Sequence, residues 1–449
     1  KQRSAGWRLG SSLFLVLSLL FPTLALAADG GSMVSIAGIR LEFILFAMTL
    51  LGVALFHNYT MWVSLGGLTA ILVSKYLFLD DFSFAHHMLG GAGHEGEWRI
   101  LLNLIGLLFG FFAQRSRFCL RAAVIEFWRG KFAEKLSVWL LAFATALIAV
   151  QGLILAGWLD VSGVRQLANR GSLSGALVGG LLFGVGMIMT RGCASRLLIL
   201  SANGNLRALL SGLVFAVTAQ ATLAGSLAPL RSEIAGWWTV EGGSARNLLA
   251  LVGAGHWDGL VLGALWLAVA LYFSWRSGNR AWMWLGGLCT GLAVALAWWF
   301  NHAVAQASFD VVPVGGLTFS GPSAEWLMRV LANPGASFGF DSGMLPAVFV
   351  GSLLGALVGR EFKIEGFKDG YSMARYIAGA MAMGFGSMLA GGCAVGAGMT
   401  GGAIFALTAW ITLAAMFVGG GLMDRWLAEP VLTAQPATQQ APVVLQVAP

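Results

Sequence analysis

The chain has 449 residues, of which 58% are hydrophobic and only 10% are charged. Soluble domains carry about 25% charged residues, so the composition excludes an ordinary soluble domain, and the mean hydropathy of +0.79 supports the same conclusion. The sequence therefore predicts an all-α polytopic membrane protein. The net charge of +7 is explained by basic cytoplasmic loops and contact with anionic membrane lipid, so no nucleic-acid partner is expected.

The first 98 residues contain two different kinds of segment. Residues 1–27 combine basic residues, an apolar run and a small-residue end, which predicts a signal-peptide-like segment and favours cleavage near Ala27 over a retained first helix. Residues 28–98 are predicted to form an N-terminal extension with two helices and an outside loop. The histidines and carboxylates of that loop favour a solvated connector over a metal site, so no bound metal is expected.

About eleven apolar segments follow, each a candidate to cross, or to enter as a re-entrant helix, about 30 Å of hydrocarbon. They are residues 43–57, 60–79, 100–113, 136–156, 173–190, 206–227, 257–275, 281–300, 343–359, 374–390 and 402–422. If all of them cross and the mature N-terminus lies outside, the positive-inside rule is satisfied by four basic cytoplasmic loops. These loops are 114–135, 191–207, 276–280 and 360–375. Residues 99–425 are predicted to form one membrane domain, and residues 426–449 a disordered cytoplasmic tail.

Three of the four cysteines lie nine residues after a glycine at the end of an apolar stretch. The pairs are Gly110 with Cys119, Gly184 with Cys193, and Gly384 with Cys393. The last two sites also share a glycine seven residues upstream and one directly before the cysteine, namely Gly186, Gly192, Gly386 and Gly392. On an unbroken helix this spacing places glycine and cysteine on opposite faces, because each residue turns about 100°. Glycine-interrupted segments in corresponding places therefore predict broken helices around a shared midplane site.

A break before each cysteine predicts an anion site, because free N–H groups at a half-helix start carry partial positive charge. Further positive charge near the first two cysteines comes from Arg115, Arg117 and Arg191. Glycines surround Cys393 instead, which leaves the backbone as the anion ligand there. Gln114 is a candidate either to hydrogen-bond substrate oxygens or to join two helices.

The sequence separations of the cysteines limit the alternatives. Separations of 74 and 200 residues fit neither a Cys-x-x-Cys redox motif nor a zinc pattern. Disulfide pairing stays open at this point. Packing in a small gap is the usual role of an isolated buried cysteine and is our interpretation of Cys289. The repeated setting favours a functional role for the other three.

The cysteine sites resemble the motifs of the YeeE/YedE sulphur-transport family. The similar stretches fall between about residue 100 and residue 425 and include 109–119, 184–194, 201–205, 317–320, 343–356 and 384–396. The resemblance implies an all-helical, multi-pass protein of the bacterial inner membrane, with two pseudo-symmetric halves in inverted orientation. It also implies a transporter rather than an enzyme, without a cofactor, that takes up thiosulfate or a related sulphur or selenium oxyanion. By matching motif, the pathway cysteines are Cys119, Cys193 and Cys393.

Uptake of a divalent anion requires a driving force. Bringing two negative charges into a cell against about 100 mV costs roughly 4.6 kcal/mol, which corresponds to a concentration ratio of around a thousand or more. Either protons accompany the anion or a cytoplasmic acceptor removes it, and the resemblance implies a TusA-like sulphur carrier or a rhodanese as that acceptor. The alternative function is a membrane thiol-disulfide redox protein, for which the cysteines would have to pair.

Overall fold

The computed structural model describes residues 35–36, 39–55, 63, 66–67, 69–71, 73, 96–307, 313–331, 340–366 and 370–427. The predicted signal-like segment, most of the second N-terminal helix, loop residues 80–95 and tail residues 428–449 lie outside this part of the chain. The domain boundaries drawn from the sequence therefore stay predictions.

The described residues form helices almost throughout. The first group of helices is α1 (Leu41–Leu55), α2 (Gly96–Arg115), α3 (Leu120–Trp128), α4 (Glu134–Leu155), α5 (Arg165–Ala168), α6 (Leu173–Met189), α7 (Ala194–Ala202) and α8 (Leu206–Ala224). The second group is α9 (Ala228–Gly236), α10 (Leu248–Leu251), α11 (His256–Arg276), α12 (Ala281–Ala307), α13 (Ser320–Leu331), α14 (Phe340–Val358), α15 (Gly370–Leu389), a π-helix (Ala394–Gly401) and α16 (Leu407–Leu427). Two short antiparallel ladders pair β1 (Ser35–Ile36) with β2 (Ile39–Arg40) and β3 (Gly171–Ser172) with β4 (Thr239–Val240).

Seven helical spans within the described residues are long and apolar enough to cross a membrane. They are α4, α6 with α7, α8, α11, α12, α15 with the π-helix, and α16. A shorter apolar stretch, Gly343–Val358, lies in α14. The chain is thus an all-α polytopic membrane protein, as the composition predicts, while the total of about eleven crossing or re-entrant segments stays a prediction.

The helices form two halves with the same order of elements. Helices α2, α3, α4, α6, α7 and α8 correspond to α12, α13, α14, α15, the π-helix and α16. Each of these helices packs on a helix of the other half, and equivalent helices have equivalent partners. Thus α2 packs on α14, and its equivalent α12 packs on α4. In the same way, α6 packs on α16, and its equivalent α15 packs on α8. This exchange of partners is the packing pattern expected of two halves related by an approximate two-fold axis. One continuous buried core runs through both halves.

Helices α6 and α15, which are equivalent in the two halves, cross through glycines. A methyl group added at Gly179 would lie 2.6 Å from the carbonyl oxygen of Gly386, and one added at Gly186 would lie 2.5 Å from that of Gly379. The earlier residue of α6 thus meets the later residue of α15, so the two helices run antiparallel. Equivalent helices with opposite directions agree with the inverted arrangement that the family resemblance implies.

The π-helix corresponds to the α-helix α7 of the first half. The segment after each short helix turns through a residue with positive φ, Gly204 (91°) in the first half and Phe405 (54°) in the second. One residue more separates Cys393 from Phe405 than separates Cys193 from Gly204. A π-helix accommodates one extra residue per turn relative to an α-helix, and such turns are frequent at functional sites.

Candidate functional site

Each half contains two short helices that begin directly after a buried residue, and these four residues occupy equivalent places. They are Cys119 before α3, Cys193 before α7, Phe319 before α13 and Cys393 before the π-helix. The carbonyl oxygen of each accepts the first hydrogen bond of its short helix, at 3.2, 2.9, 3.2 and 2.8 Å respectively. The three matched cysteines therefore lie at helix N-termini, where backbone N–H groups favour an anion.

The helix before each of the three cysteines ends in the same way. Arg117, Arg191 and Gly391, each two residues before its cysteine, have φ values of 55°, 60° and 79°. Backbone hydrogen bonds close the ends of these helices, from Phe118 to Ala113 at 3.0 Å, from Gly192 to Met187 at 3.1 Å and from Gly392 to Ser387 at 2.8 Å. This is the Schellman pattern of a helix C-terminus. The breaks predicted between glycine and cysteine are confirmed.

The structure brings two of the three thiols together. The side chains of Cys119 and Cys193, 74 residues apart in sequence, interact with each other. The sulphur of Cys193 also lies 3.4 Å from the hydroxyl of Ser195. All four cysteines are free thiols. Cys393 is 1% exposed and belongs to the other half, at the place equivalent to Cys193.

A chain of polar side chains lies beside the paired thiols. The guanidinium of Arg196 donates to the side-chain oxygen of Gln114 at 3.1 Å, and the amide nitrogen of Gln114 donates to Glu361 at 2.7 Å. Arg117 pairs with the second oxygen of Glu361 at 3.2 Å. Gln114 is 2% exposed, so it joins α2 to α7 and to the loop after α14 from within the protein. The positive charge of Arg196 interacts electrostatically with both thiols.

The remaining predicted arginines differ in environment. Arg115 stacks its guanidinium 5.7 Å from the ring centre of Trp282. The side chain of Arg117 is 60% exposed, and Arg191 is also exposed. Gln114, by contrast, is buried and contacts Arg196.

All of the glycines assigned to the pathway except Gly192 pack closely against backbone atoms. A methyl group added at Gly110 would lie 2.9 Å from the backbone nitrogen of Ser352, one at Gly184 2.5 Å from the oxygen of Met416 and one at Gly384 2.8 Å from the oxygen of Phe215. Gly186 and Gly386 form the crossing of α6 and α15. Gly192 and Gly392 approach the short helices, 3.3 Å from Leu197 and 2.8 Å from the nitrogen of Ala397. Helix packing explains each glycine, and their contact with substrate stays a prediction.

The segment 317–320, which the family resemblance includes, packs on the π-helix. Thr400 donates to the carbonyl oxygen of Leu317 at 2.6 Å, and the indole of Trp298 donates to the carbonyl oxygen of Thr400 at 3.3 Å. Thr318 lies directly against Gly396. These contacts hold Phe319 beside the helix that begins after Cys393.

The sequence model of the family described as sulphur transport matches residues 115–422. The chain belongs to the sulphur-transport family. The match includes all three matched cysteines and most of both halves of the repeat, and it confirms the family that the motifs resemble. The N-terminal extension lies outside it.

Two relatives of this family are similar over most of the chain. Identity with the thiosulfate transporter TsuA of Spirochaeta thermophila is 24% over 340 residues, which covers 72% of this chain and 97% of that protein. Identity with the thiosulfate transporter TsuA of Escherichia coli K12 is 26% over 342 residues, which covers 71% of this chain and 92% of that protein. The prediction of a multi-pass transporter rather than an enzyme is confirmed.

Sequence reasoning missed Arg196 and Glu361, and it included Phe319 in a family-like stretch without giving it a role of its own. Arg196 and Glu361 carry no local motif, and only the fold places them with Gln114. Phe319 had a usable signal, because the 200-residue separation of Cys193 and Cys393, applied to Cys119, leads to position 319. The loop histidines considered for a metal site lie outside the described residues.

Proposed function

We propose that this protein carries thiosulfate, or a related sulphur or selenium oxyanion, across the bacterial inner membrane along a pathway formed by Cys119, Cys193 and Cys393. The observation that carries the proposal is the repeated break that places each thiol at the N-terminus of a short helix. Two relatives named as thiosulfate transporters support the choice of anion. The seven apolar spans within the described residues and the basic loops support the proposed location in a membrane.

Charge at the site favours a divalent anion. Helix N-termini contribute partial positive charge, and the guanidinium of Arg196 contributes a full one beside Cys119 and Cys193. Glu361 contributes a negative charge nearby, and it contacts Gln114 and Arg117. An entering anion would compete for the guanidinium and displace the oxygen of Gln114.

Thiols suit the terminal sulphur of such an anion. A neutral S–H group is a weak, polarisable donor, whereas a thiolate would repel the anion. Weak binding at several sites lets an ion enter and leave again, as conduction requires. Cys119 and Cys193 place two sulphur atoms at one step of the pathway, and Cys393 supplies the equivalent thiol in the other half.

Uptake of radiolabelled thiosulfate in a strain without other sulphur importers tests the proposal. Alanine at any of the three pathway cysteines should abolish uptake at normal expression. Cys289→Ala is the matched control, because this fourth thiol is partly exposed and lies inside α12 rather than at the N-terminus of a short helix. Uptake that survives all three substitutions would reject the thiol pathway, and competition by sulfate and selenite would define the anion.

A cytoplasmic acceptor of the TusA-like or rhodanese type remains part of the proposal as the sink for delivered sulphur. The contact between Cys119 and Cys193 also bears on the redox alternative, since two thiols this close could be oxidised to a disulfide. Family membership does not favour that function. A redox role would show as a mobility shift between alkylated oxidised and reduced protein during turnover, and thiosulfate transport predicts none.

A further inference from the structure

The two-fold repeat creates four equivalent positions at helix N-termini, and only three of them carry a thiol. In the first half the positions are Cys119 and Cys193, whose side chains meet. In the second half they are Phe319 and Cys393. One hydrogen bond supports the equivalence of Phe319 and Cys119. The carbonyl oxygen of each residue accepts a 3.2 Å bond from the backbone N–H four residues later, that of Ser323 and that of Ala123 respectively.

Phe319 contacts aromatic rings of the first half. Its ring centre lies 5.4 Å from that of Phe109 in α2, and Phe109 lies 6.3 Å from Phe118, edge to face. Phe118 directly precedes Cys119 in the chain. We name these three residues, Phe109, Phe118 and Phe319, the aromatic constriction. None of them is more than 2% exposed.

The constriction links the equivalent sites of the two halves. Phe118 directly precedes Cys119 in the chain, and Phe319 follows Leu317 and Thr318, which contact the π-helix that begins after Cys393. An ion moving between the thiol pair and Cys393 meets aromatic carbon at this point instead of a fourth S–H group. Hydrophobic constrictions of this kind gate pores because they exclude water.

We propose that Phe319 is the gate and the specificity-determining residue of the anion pathway. This inference rests on the proposed function, because it assumes that the three thiols line one path. With a thiol at all four positions, polar groups would run continuously through the protein. The ring interrupts them, so a hydrated anion is held back unless the ring moves. Thiosulfate, with its polarisable terminal sulphur, loses less on contact with aromatic carbon than sulfate, whose four oxygens are all strongly hydrated.

Flux through the full chain in proteoliposomes tests the gate. Radiolabelled thiosulfate and radiolabelled sulfate are measured in parallel for the wild type and for Phe319→Ala. The wild type should exclude sulfate. The variant should raise sulfate flux about tenfold, the change that a barrier lower by about 1.4 kcal/mol produces, so that discrimination between the two anions is largely lost. Phe319→Trp should reduce thiosulfate flux and keep sulfate out.

Phe143→Ala is the matched control, because Phe143 is a buried ring in α4 that stacks on Trp139 at 5.3 Å, outside the constriction. It should lower the unfolding temperature without a sulfate leak. If Phe319→Ala does not fold, Phe319→Cys replaces it, since this change restores the residue type of the other three positions. The Phe319→Cys variant should also leak sulfate, and mild oxidation should link its new thiol to Cys393.

Folded Phe319 variants that exclude sulfate as well as the wild type would overturn the gate. A wild type that moves no thiosulfate would instead reject the proposed function. The sulfate leak of the Phe319 variants can be read in that case too, so the two failures are distinguishable.

Discussion

The guanidinium of Arg196 meets the side-chain oxygen of Gln114 at 3.1 Å, next to the contacting thiols of Cys119 and Cys193. Gln114 presents its oxygen to Arg196 because its nitrogen donates to Glu361 at 2.7 Å. The guanidinium of Arg196 therefore donates to a neutral oxygen, that of Gln114. An anion that binds near the two thiols can replace this oxygen as the acceptor.

Removal of this charge should weaken anion binding more than folding. A hydrogen bond to a charged group contributes about 1.5–3 kcal/mol, so Arg196→Gln should raise the KM for thiosulfate by roughly ten- to a hundredfold. Arg196→Lys keeps the charge and should recover part of the loss. Initial uptake rates over a range of thiosulfate concentrations measure the effect, with exposed Arg276→Gln as the control. An unchanged KM in both Arg196 variants would remove this residue from the pathway.

Arg191, at the second break, should contribute positive charge to the site but lower the stability of the fold through its backbone conformation. Arg191 has a φ of 60°, where a side chain costs roughly 1–2 kcal/mol, whereas the third break has Gly391 at φ 79°. Arg191→Gly should therefore raise the unfolding temperature in detergent and lower the uptake rate. Gly391→Ala should lower the unfolding temperature by a similar free energy. If Arg191→Gly proved less stable than the wild type, contacts of the arginine side chain would outweigh the backbone term.

The crossing of α6 and α15 should tolerate no side chain. A methyl group at Gly186 would lie 2.5 Å from the oxygen of Gly379 and 2.7 Å from the nitrogen of Met383. Both atoms are backbone, so Gly186→Ala should force the helices apart and cost about 1–3 kcal/mol. Gly212→Ala is the control, because nothing lies within 4 Å of its added methyl group and alanine favours a helix by about 1 kcal/mol. Chemical unfolding in mixed micelles compares them, and equal stability of the two variants would contradict this packing.

The helix breaks could be predicted from residue types along the chain. The residues that pack against the broken helix ends could not. Glycine pairs and apolar lengths are read along the chain, so the ends of α6 and α15 and the positions of the three cysteines followed from the sequence. The contact between Cys119 and Cys193, and that between Gln114 and Glu361, join residues far apart in the chain. They depend on how α2, α7 and α14 pack. The same packing gives Gly184 and Gly384 a structural reason that the motif alone did not suggest.

An ion pair fixes the short helix α3 to α16. Arg129 donates two hydrogen bonds to the carboxylate of Asp424, both at 2.8 Å, and the Asp424 side chain is 7% exposed. Asp424→Asn removes both charge-assisted hydrogen bonds from the partly exposed Arg129 guanidinium, so it should cost about 1.5–3 kcal/mol of stability. The exposed pair of Glu134 with Lys135 provides the control, since Glu134→Gln should cost less than about 1 kcal/mol. Thermal unfolding measures both, and protein that remains folded at low temperature should still take up thiosulfate.

The energy source of uptake can be separated from the pathway by using liposomes that contain no acceptor. If protons accompany thiosulfate, an acidic outside solution should drive its accumulation above the external concentration. If an acceptor is the only sink, uptake should stop at equilibrium, and an inside-negative potential of about 100 mV should lower the internal level by around a thousandfold, because two charges cost roughly 4.6 kcal/mol. A TusA-like carrier or a rhodanese enclosed in the liposomes should then restore net uptake. Accumulation against the potential with neither a proton gradient nor an acceptor would contradict both forms of coupling.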